Sequence, residues 1–172
     1  MNIFLIGYRG TGKSAVGQGL ATALNRRFVD MDEELTGRLG MTIREHVARF
    51  GWSVFRAEEK RLLQELCLRD GGVVATGGGV VLDDENVAAM RGSGHVIWLQ
   101  ASPGVIQQRL AADPRSRDLR PPLSARPDPA GEIRDVLQQR LALYRQAAHW
   151  QIGTDELSAG QVCRNLAARL AP

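Results

Sequence analysis

The sequence predicts an α/β fold, a three-layer sandwich in which helices cover both faces of a five-stranded parallel sheet. Short β-branched runs alternate with helical patterns along the chain, and glycine-rich or acidic segments follow directly after three of the predicted strands. The length of 172 residues suits a single domain. Because right-handed crossovers gather the carboxyl ends of parallel strands at one edge of a sheet, we expect one cleft there.

The elements follow from hydrophobic periodicity. Apolar, β-branched runs predict strands at 2–6, 27–29, 72–75, 95–99 and 150–152. Apolar residues at helical spacing, such as Val16, Leu20 and Leu24, predict helices at 13 to about 25, 32 to about 68, 83–90, from 103 onward, 132–148 and 158–170. The long helical stretch is expected to break near Gly40 and Gly51.

Capping residues support several of these boundaries. Thr42 should begin a helix, because Glu45 three residues later completes a capping box. Ser102 and Pro103 suit the N-cap and first helical position of another helix. The segment 113–129 is rich in Pro, Arg and Asp and has no period, so it is predicted to be a mobile loop.

The first strand leads into the phosphate-binding pattern G-x-x-x-x-G-K-[ST], here Gly7-Tyr8-Arg9-Gly10-Thr11-Gly12-Lys13-Ser14. Its glycines let the backbone N–H groups turn toward phosphate oxygens, and the helix that follows adds its positive end. Lys13 would reach the β- and γ-phosphates, and the Ser14 hydroxyl would take one position on Mg²⁺. The alternative is a chance glycine-rich turn, which the strand-loop-helix context and the presence of only two lysines beside twenty arginines disfavour.

Composition excludes few classes of protein. The net charge of +3 is compatible with nucleic-acid binding, but the arginines are scattered, and an anionic small molecule explains the excess equally well. Cys67 and Cys163 have neither pairing nor metal-binding spacing and are predicted to be buried free thiols. Neither a targeting signal nor an apolar run of about 18 residues is found, so we expect a cytoplasmic protein with no membrane partner.

Three segments that carry chemistry follow predicted strands. They are the phosphate loop at 7–14, the pair Asp30 and Asp32, and the glycine run 77–79. Although the sequence separates them widely, the carboxyl ends of parallel strands share one edge of the sheet. We therefore expect these segments to meet in one cleft.

These motifs together resemble the shikimate kinase family over nearly the whole chain. The resemblance is carried, in order, by the phosphate loop, Asp30-Met31-Asp32, Phe55-Arg56-Ala57-Glu58-Glu59, Gly77-Gly78-Gly79, Arg120-Pro121, and Arg140 before Leu143-Tyr144-Arg145. It implies a single P-loop kinase domain, 1–172, with a helical substrate-binding insert at about 31–60 and a mobile lid at about 113–129. Residues ahead of Arg120 lengthen the lid, so Arg115 or Arg117 could replace Arg120 in its role.

The resemblance implies a role for each carboxylate and arginine. Asp30 would hold Mg²⁺ through water, and Asp32 would bind ring hydroxyls of shikimate and accept the proton of the attacking one, unless Asp32 only caps the next helix. Arg56 and Arg140 would grip the shikimate carboxylate. Glu59 would hold Arg56, the alternative being an exposed helical ion pair.

It also implies the remaining ligands. The substrate would approach the backbone at Gly77, Gly78 and Gly79; the alternative is that these glycines only form a flexible turn. Phe55 would line the bottom of the substrate pocket, or would be a residue of the hydrophobic core. ATP would be bound by Gly10, Thr11, Gly12, Lys13, Ser14, Ala15, Arg109 and Arg120, with 154–158 closing over the adenine. Lys13, Asp32 and Arg120 would be the catalytic residues. His46, His95 and His149 fall outside these motifs.

The reaction implied is Mg²⁺-dependent transfer of the ATP γ-phosphoryl group to the 3-hydroxyl of shikimate, in aromatic amino-acid biosynthesis. Its partners would be small molecules without nucleic acid, and the chain is expected to be a monomer. Two alternative functions stay open. The chain could be a related small-metabolite kinase such as a gluconate kinase, or a catalytically silent relative with a regulatory role. A GTP-dependent switch is disfavoured because the sequence has no N-K-x-D motif for guanine.

Overall fold

The computed structural model describes residues 1–113, 119, 121–123 and 128–170. The strands among these residues are β1 (Asn2–Ile6), β2 (Arg27–Asp30), β3 (Gly72–Ala75), β4 (Gly94–Gln100) and β5 (Trp150–Gly153). The α-helices are α1 (Lys13–Ala23), α2 (Met31–Leu39), α3 (Ile43–Phe50), α4 (Trp52–Cys67), α5 (Asp84–Ser93), α6 (Pro103–Ala112), α7 (Pro129–Ala147) and α8 (Ala159–Leu170). A short 3₁₀ helix, Val80–Leu82, precedes α5.

The five strands form one parallel sheet in the order β2-β3-β1-β4-β5. β1 lies at its centre, where Phe4 pairs with Val74 of β3 and Val96 of β4. All of its residues are buried, as expected for a strand covered by helices on both faces. The phosphate loop therefore leaves the sheet from its most enclosed strand.

Alternate residues of β1 enter two different cores, because successive side chains of a strand point to opposite faces. Phe4 and Ile6 pack with residues of α2, α3, α4, α5 and α7. Ile3 and Leu5 pack with α1 and α8 on the other face. The predicted three-layer sandwich with a five-stranded parallel sheet is confirmed.

Most predicted element boundaries agree with the structure to within two residues. The long helical stretch splits into α2, α3 and α4 at Gly40 and Gly51, whose φ angles of 65° and 87° end the helices before them. The capping box of Thr42 and Glu45 is present. Ser102 caps α6, accepting the N–H of Val105.

Several features differ from the prediction, among them the end of α5, which lies at Ser93, three residues beyond the predicted end. α7 begins three residues early, at Pro129, because the Asp128 carboxylate accepts the N–H groups of Ala130 and Gly131 and so caps the helix. The 3₁₀ helix at Val80–Leu82 was not predicted. The predicted loop at 113–129 falls largely outside the described residues.

The two cysteines are free but differ in burial. Cys163 is buried as predicted, with its thiol 3.2 Å from the carbonyl oxygen of Val16. Cys67 is only half-buried, so its predicted full burial is wrong. It is the last residue of α4, where the chain leaves the core and the next side chain, Leu68, is exposed. Across the described ranges, no helix has the length and apolar character that crossing a membrane requires.

Candidate active site

The carboxyl ends of β1, β2 and β3 bring the three motif segments together, as predicted from parallel topology. Thr76, directly after β3, donates both its N–H and its hydroxyl to the carbonyl of Leu5 in β1, at 3.1 and 3.0 Å. This contact fixes the start of the glycine run beside the phosphate loop. The segments then enclose two adjoining clefts.

We name the clefts by what lines them. The phosphate-loop cleft is lined by the loop and its surroundings, including Arg9, Gly10, Gly12, Lys13, Ser14, Ala15, Asp30, Asp32, Thr76 and Arg109. The arginine cleft is lined by residues of α4, α7 and the glycine run, including Arg9, Lys13, Asp32, Trp52, Phe55, Arg56, Glu59, Gly77, Gly78, Gly79, Pro121, Leu123 and Arg140. Arg9, Lys13, Asp32 and Ile43 line both.

The phosphate loop is tightly closed on itself. The Thr11 hydroxyl donates to the carbonyl of Tyr8 at 2.8 Å. Gly7 has φ 140°, and a Cβ atom there would lie 2.5 Å from the carbonyl oxygen of Leu99. The first glycine of the pattern is therefore required by both conformation and packing.

Lys13 lies at the boundary between the clefts. Its Nζ donates to the carbonyl oxygens of Gly7 and Tyr8 at 2.8 and 2.9 Å, and the residue is buried. These bonds hold the ammonium group over the loop. A positive charge in this place faces the phosphate-loop cleft and the arginine cleft at once.

Asp30 uses its two carboxylate oxygens differently. Oδ1 accepts the N–H groups of Asp32 and Glu33 at 3.0 and 3.4 Å and so caps α2. Oδ2 accepts the Ser14 hydroxyl at 2.5 Å. The helix cap is therefore Asp30, and the alternative in which Asp32 is the cap is wrong.

The donor set at Ser14 and Asp30 fits Mg²⁺. Mg²⁺ prefers oxygen ligands, and in nucleotide sites it takes only one or two from the protein and the rest from phosphates and water. A hydroxyl and a carboxylate oxygen meet here on the wall of the phosphate-loop cleft. Asp32 lines both clefts.

Arg56 is held by a buried carboxylate. Its Nη1 donates to Glu59 Oε2 at 2.6 Å, and Glu59 is only 1% exposed, which rules out the alternative of an exposed ion pair. Burial raises the pKa of the Glu59 carboxyl, and the guanidinium of Arg56 opposes that rise. Trp52 lies beneath the guanidinium, whose carbon is 5.0 Å from the ring centroid. Nothing in the sequence pointed to Trp52.

The glycine run is packed against this pair. A Cβ atom on Gly79 would overlap the guanidinium of Arg56, and one on Gly77 would overlap Oε1 of Glu59. The sequence predicted close approach of a ligand to these glycines. The close approach that the structure shows is made by side chains of α4, so the glycines also serve to seat the arginine.

Arg140 contacts the same turn from α7. Its Nη1 donates to the carbonyl oxygen of Gly78 at 3.0 Å, and the Tyr144 hydroxyl donates to that oxygen at 2.5 Å. Burial raises the pKa of Tyr144 to about 12, so its hydroxyl remains a proton donor. Tyr144 was not predicted as a site residue, although its place four residues after Arg140 on a helix is a signal for a shared face.

Phe55 satisfies both of its predicted alternatives, since it lies in the core and also lines the arginine cleft. His46 is buried against it in the same helical region. His95 and His149 lie at the amino ends of β4 and β5, away from the cleft edge of the sheet. Arg115, Arg117 and Arg120 lie outside the described residues.

Arg109 joins the phosphate loop to the segment after β5. Its guanidinium donates to the Thr154 carbonyl at 2.6 Å, to the Thr154 hydroxyl at 3.0 Å and to the Gly10 carbonyl at 3.3 Å. Thr154 is in turn bound to the carbonyl of Gln100 through its N–H and its hydroxyl. The expected adenine segment 154–158 thus begins from a fixed point beside the loop.

Arg9 makes a further connection that nothing in the sequence pointed to. It pairs with Glu132 of α7 and donates to the carbonyl of Pro121 at 3.2 Å. Glu132 also accepts the N–H of Leu123 at 2.9 Å. The phosphate loop is therefore tied to the chain on either side of residues 124–127.

Known proteins resemble this chain in sequence and in fold. A sequence model of the family described as shikimate kinase matches residues 9–171. The chain is 39% identical to a shikimate kinase from Syntrophus aciditrophicus, a match that covers 98% of this chain and 90% of that protein. It is 46% identical to shikimate kinase 2 from Escherichia coli O139:H28, with 86% and 83% covered.

Solved structures give the same result. A shikimate kinase from Acinetobacter baumannii, determined in complex with shikimate, has a TM-score of 0.90 at 34% identity, over 98% of this chain and 92% of that one. A gluconokinase from Sinorhizobium meliloti has a TM-score of 0.50 at 18% identity and shares only the fold. With the family match spanning 9–171 and relatives at 39% and 46% identity, the chain belongs to the shikimate kinase family.

Proposed function

We propose that the two clefts hold Mg²⁺-ATP and shikimate side by side, for transfer of the γ-phosphoryl group to the 3-hydroxyl of shikimate. Membership of the family supports an ATP-dependent kinase that acts on shikimate. The assignment of the two clefts to the two substrates rests on the wall that the clefts share. Lys13 and Asp32 line both, while Arg56 and Arg140 lie in the arginine cleft on either side of the glycine run.

The arginine cleft suits a carboxylate. A guanidinium has five N–H donors in a planar fork, so Arg56 and Arg140 can bind carboxylate oxygens while keeping their bonds to Glu59 and Gly78. Those two bonds fix the orientation of both guanidinium groups before the substrate binds. A preorganised pair costs less to order on binding than two solvated side chains.

We propose that Asp32 acts on the attacking hydroxyl. It enters the arginine cleft from the first turn of α2 and also faces the phosphate loop, so an acceptor hydroxyl beside it would point at the phosphoryl group. Phosphoryl transfer has a loose transition state that needs alignment and charge neutralisation more than strong bases. We assign Asp32 to orienting the hydroxyl and accepting its proton.

The phosphate-loop cleft takes the nucleotide. Residues 10–15 supply backbone N–H groups and the Lys13 ammonium to the phosphates, and Arg109 with 154–158 takes the adenine end. Ser14 and Asp30 would hold Mg²⁺, which when bound supplies positive charge to the phosphate oxygens. Arg120 stays a prediction as the lid arginine on the transferring group.

The surrounding organisation is proposed on the same basis. Residues 31–60 form the substrate-binding insert within one domain, since α2, α3 and α4 pack together on one core and carry Asp32 and Arg56. Residues 113–129 form the lid. We further propose a cytoplasmic monomer whose partners are ATP and shikimate, without nucleic acid.

Turnover with a panel of acceptors tests the function. ADP release is measured with shikimate, gluconate, nucleoside monophosphates or no acceptor. Shikimate should give the highest rate, and omission of Mg²⁺ should abolish it. A higher rate with gluconate would overturn the proposal in favour of the alternative kinase, and no release with any acceptor would favour a silent relative.

A further inference from the structure

The ion pair of Arg9 with Glu132 lies at the wall that the two clefts share, and its carboxylate is buried. The Glu132 side chain is 5% exposed and that of Arg9 is 17% exposed. Removing a carboxylate from water is costly unless charged and polar partners replace the water. Two of its partners come from outside its helix, the guanidinium of Arg9 on one oxygen and the N–H of Leu123 on the other.

The partners of Glu132 face the clefts. Arg9 lines both clefts, and Pro121 and Leu123 line the arginine cleft. One carboxylate therefore fixes a side chain of the phosphate loop and the backbone of 121–123. A simpler explanation is that Glu132, in the first turn of α7, only stabilises the positive end of that helix. Such a role needs neither burial nor contacts with two other segments.

We infer that Glu132 is a positioning residue for the phosphoryl-transfer reaction, because it holds Arg9, which lines both clefts, and the segment 121–123, which lines the arginine cleft. This inference rests on the proposed function. Without the carboxylate, the guanidinium of Arg9 would be released to bind other anions near the loop. Because the wall is shared, both substrates should be affected together.

Glu132→Gln is the informative variant, since it keeps the shape and an oxygen acceptor but removes the charge. Loss of a charged hydrogen bond should lower kcat/KM for shikimate and for ATP by roughly tenfold each. Glu85→Gln is the matched control. Glu85 is also an acidic residue in the first turn of a helix and pairs with Lys60, but it is exposed and belongs to α5. That variant should retain unmutated kinetics.

The experiment compares the unmutated chain, Glu132→Gln, Arg9→Gln, the double variant and Glu85→Gln. Turnover, calorimetric binding of shikimate and of ADP, and thermal unfolding are measured on each. We expect the double variant to be no slower than the slower single variant, because both substitutions break the same pair, Arg9 with Glu132. Should Glu132→Gln fail to fold, Arg9→Lys, which keeps the charge but not the fork, should show the same joint loss.

The outcomes separate the two proposals. A lower unfolding temperature in Glu132→Gln with unchanged kinetics and binding would show a purely structural carboxylate and overturn the positioning role. Additive losses in the double variant would also overturn it. If the unmutated chain does not turn over shikimate, the proposed function fails instead, whatever the variants show.

Discussion

Arg140 and Tyr144, one turn apart on α7, donate hydrogen bonds to the same carbonyl oxygen of Gly78. The shared acceptor couples the orientation of the Arg140 fork to the position of the glycine turn. Tyr144 touches the turn rather than the proposed substrate, so it should act through Arg140.

Tyr144→Phe removes one of the two bonds and leaves the packing of the ring against Trp98. We expect a loss of about 1 kcal/mol in the free energy of unfolding, the usual net value of one hydrogen bond. Shikimate affinity should fall by less than about tenfold, with ADP affinity unchanged. Urea unfolding and calorimetric titration measure the two effects, and equal loss of ADP affinity would contradict the coupling.

Lys13→Ala should abolish phosphoryl transfer while the chain still folds, because the ammonium group bonds carbonyls of the phosphate loop and would act on phosphate charge, and the side chain is not part of the hydrophobic core. The chain's other lysine provides the control. Lys60 pairs with Asp83 and Glu85 on the surface near α5, so Lys60→Ala should keep its turnover. Circular dichroism and ADP release are compared for both variants. If a folded Lys13→Ala protein turned over at the unmutated rate, the phosphate loop would have no part in the catalytic mechanism.

Arg140→Ala should weaken ligand binding in the arginine cleft but not in the phosphate-loop cleft. Loss of one charged contact to the substrate carboxylate should weaken shikimate binding by roughly ten- to a hundredfold and leave ATP binding little altered. Shikimate methyl ester should bind the unmutated chain weakly for the same reason. If ATP affinity falls equally, the arginine cleft is not the carboxylate site.

Arg56→Ala should make stability depend on pH through Glu59. Burial already raises the pKa of Glu59, and removing the opposing guanidinium should raise it further. A carboxyl whose pKa is higher in the folded state binds more protons there than in the unfolded state. The free energy of unfolding therefore falls as pH rises above the unfolded pKa, up to the folded value.

Urea unfolding of Arg56→Ala near pH 5 and pH 8 checks this expectation, with the larger destabilisation at the higher pH. The second substitution Glu59→Gln in that background should remove the difference. A destabilisation that is equal at both pH values, or larger at pH 5, would show that Arg56 does not oppose the rise in the pKa of Glu59.

Gly79→Ala should impair shikimate binding because its methyl group would occupy the place of the Arg56 guanidinium. Gly92→Ala is the control, since nothing lies within 4 Å of the position of its Cβ atom and it sits in α5. Calorimetric titration with shikimate should show weaker binding for Gly79→Ala alone. Equal affinities in the two variants would mean that Arg56 can move aside without loss.

The sequence predicted the sheet and its cleft well because both follow from local patterns. Alternating runs mark the strands, and the phosphate loop is a contiguous motif whose spacing carries its geometry. The capping box at Thr42 is equally local. Such features need no knowledge of which segments meet in space.

The contacts that seat the site were less predictable, since they join residues far apart in the chain. Glu132 meets Arg9 across 123 positions, and Tyr144 meets Gly78 across 66. Neither residue type signals a partner by itself. The burial of Glu59, which decides between a surface ion pair and an anchored arginine, likewise depends on how α4 packs against the glycine run.

The packing of Arg56 on the bare backbone of Gly79 has an evolutionary consequence. The space at residue 79 is already filled by the Arg56 guanidinium, so a larger residue there must displace that group or occur with a shorter side chain at residue 56. Positions 56 and 79 should therefore covary among related chains. A lineage that abandons the acidic substrate is expected to release both constraints in the same step, which makes this pair a marker for kinases of the same fold that have changed acceptor.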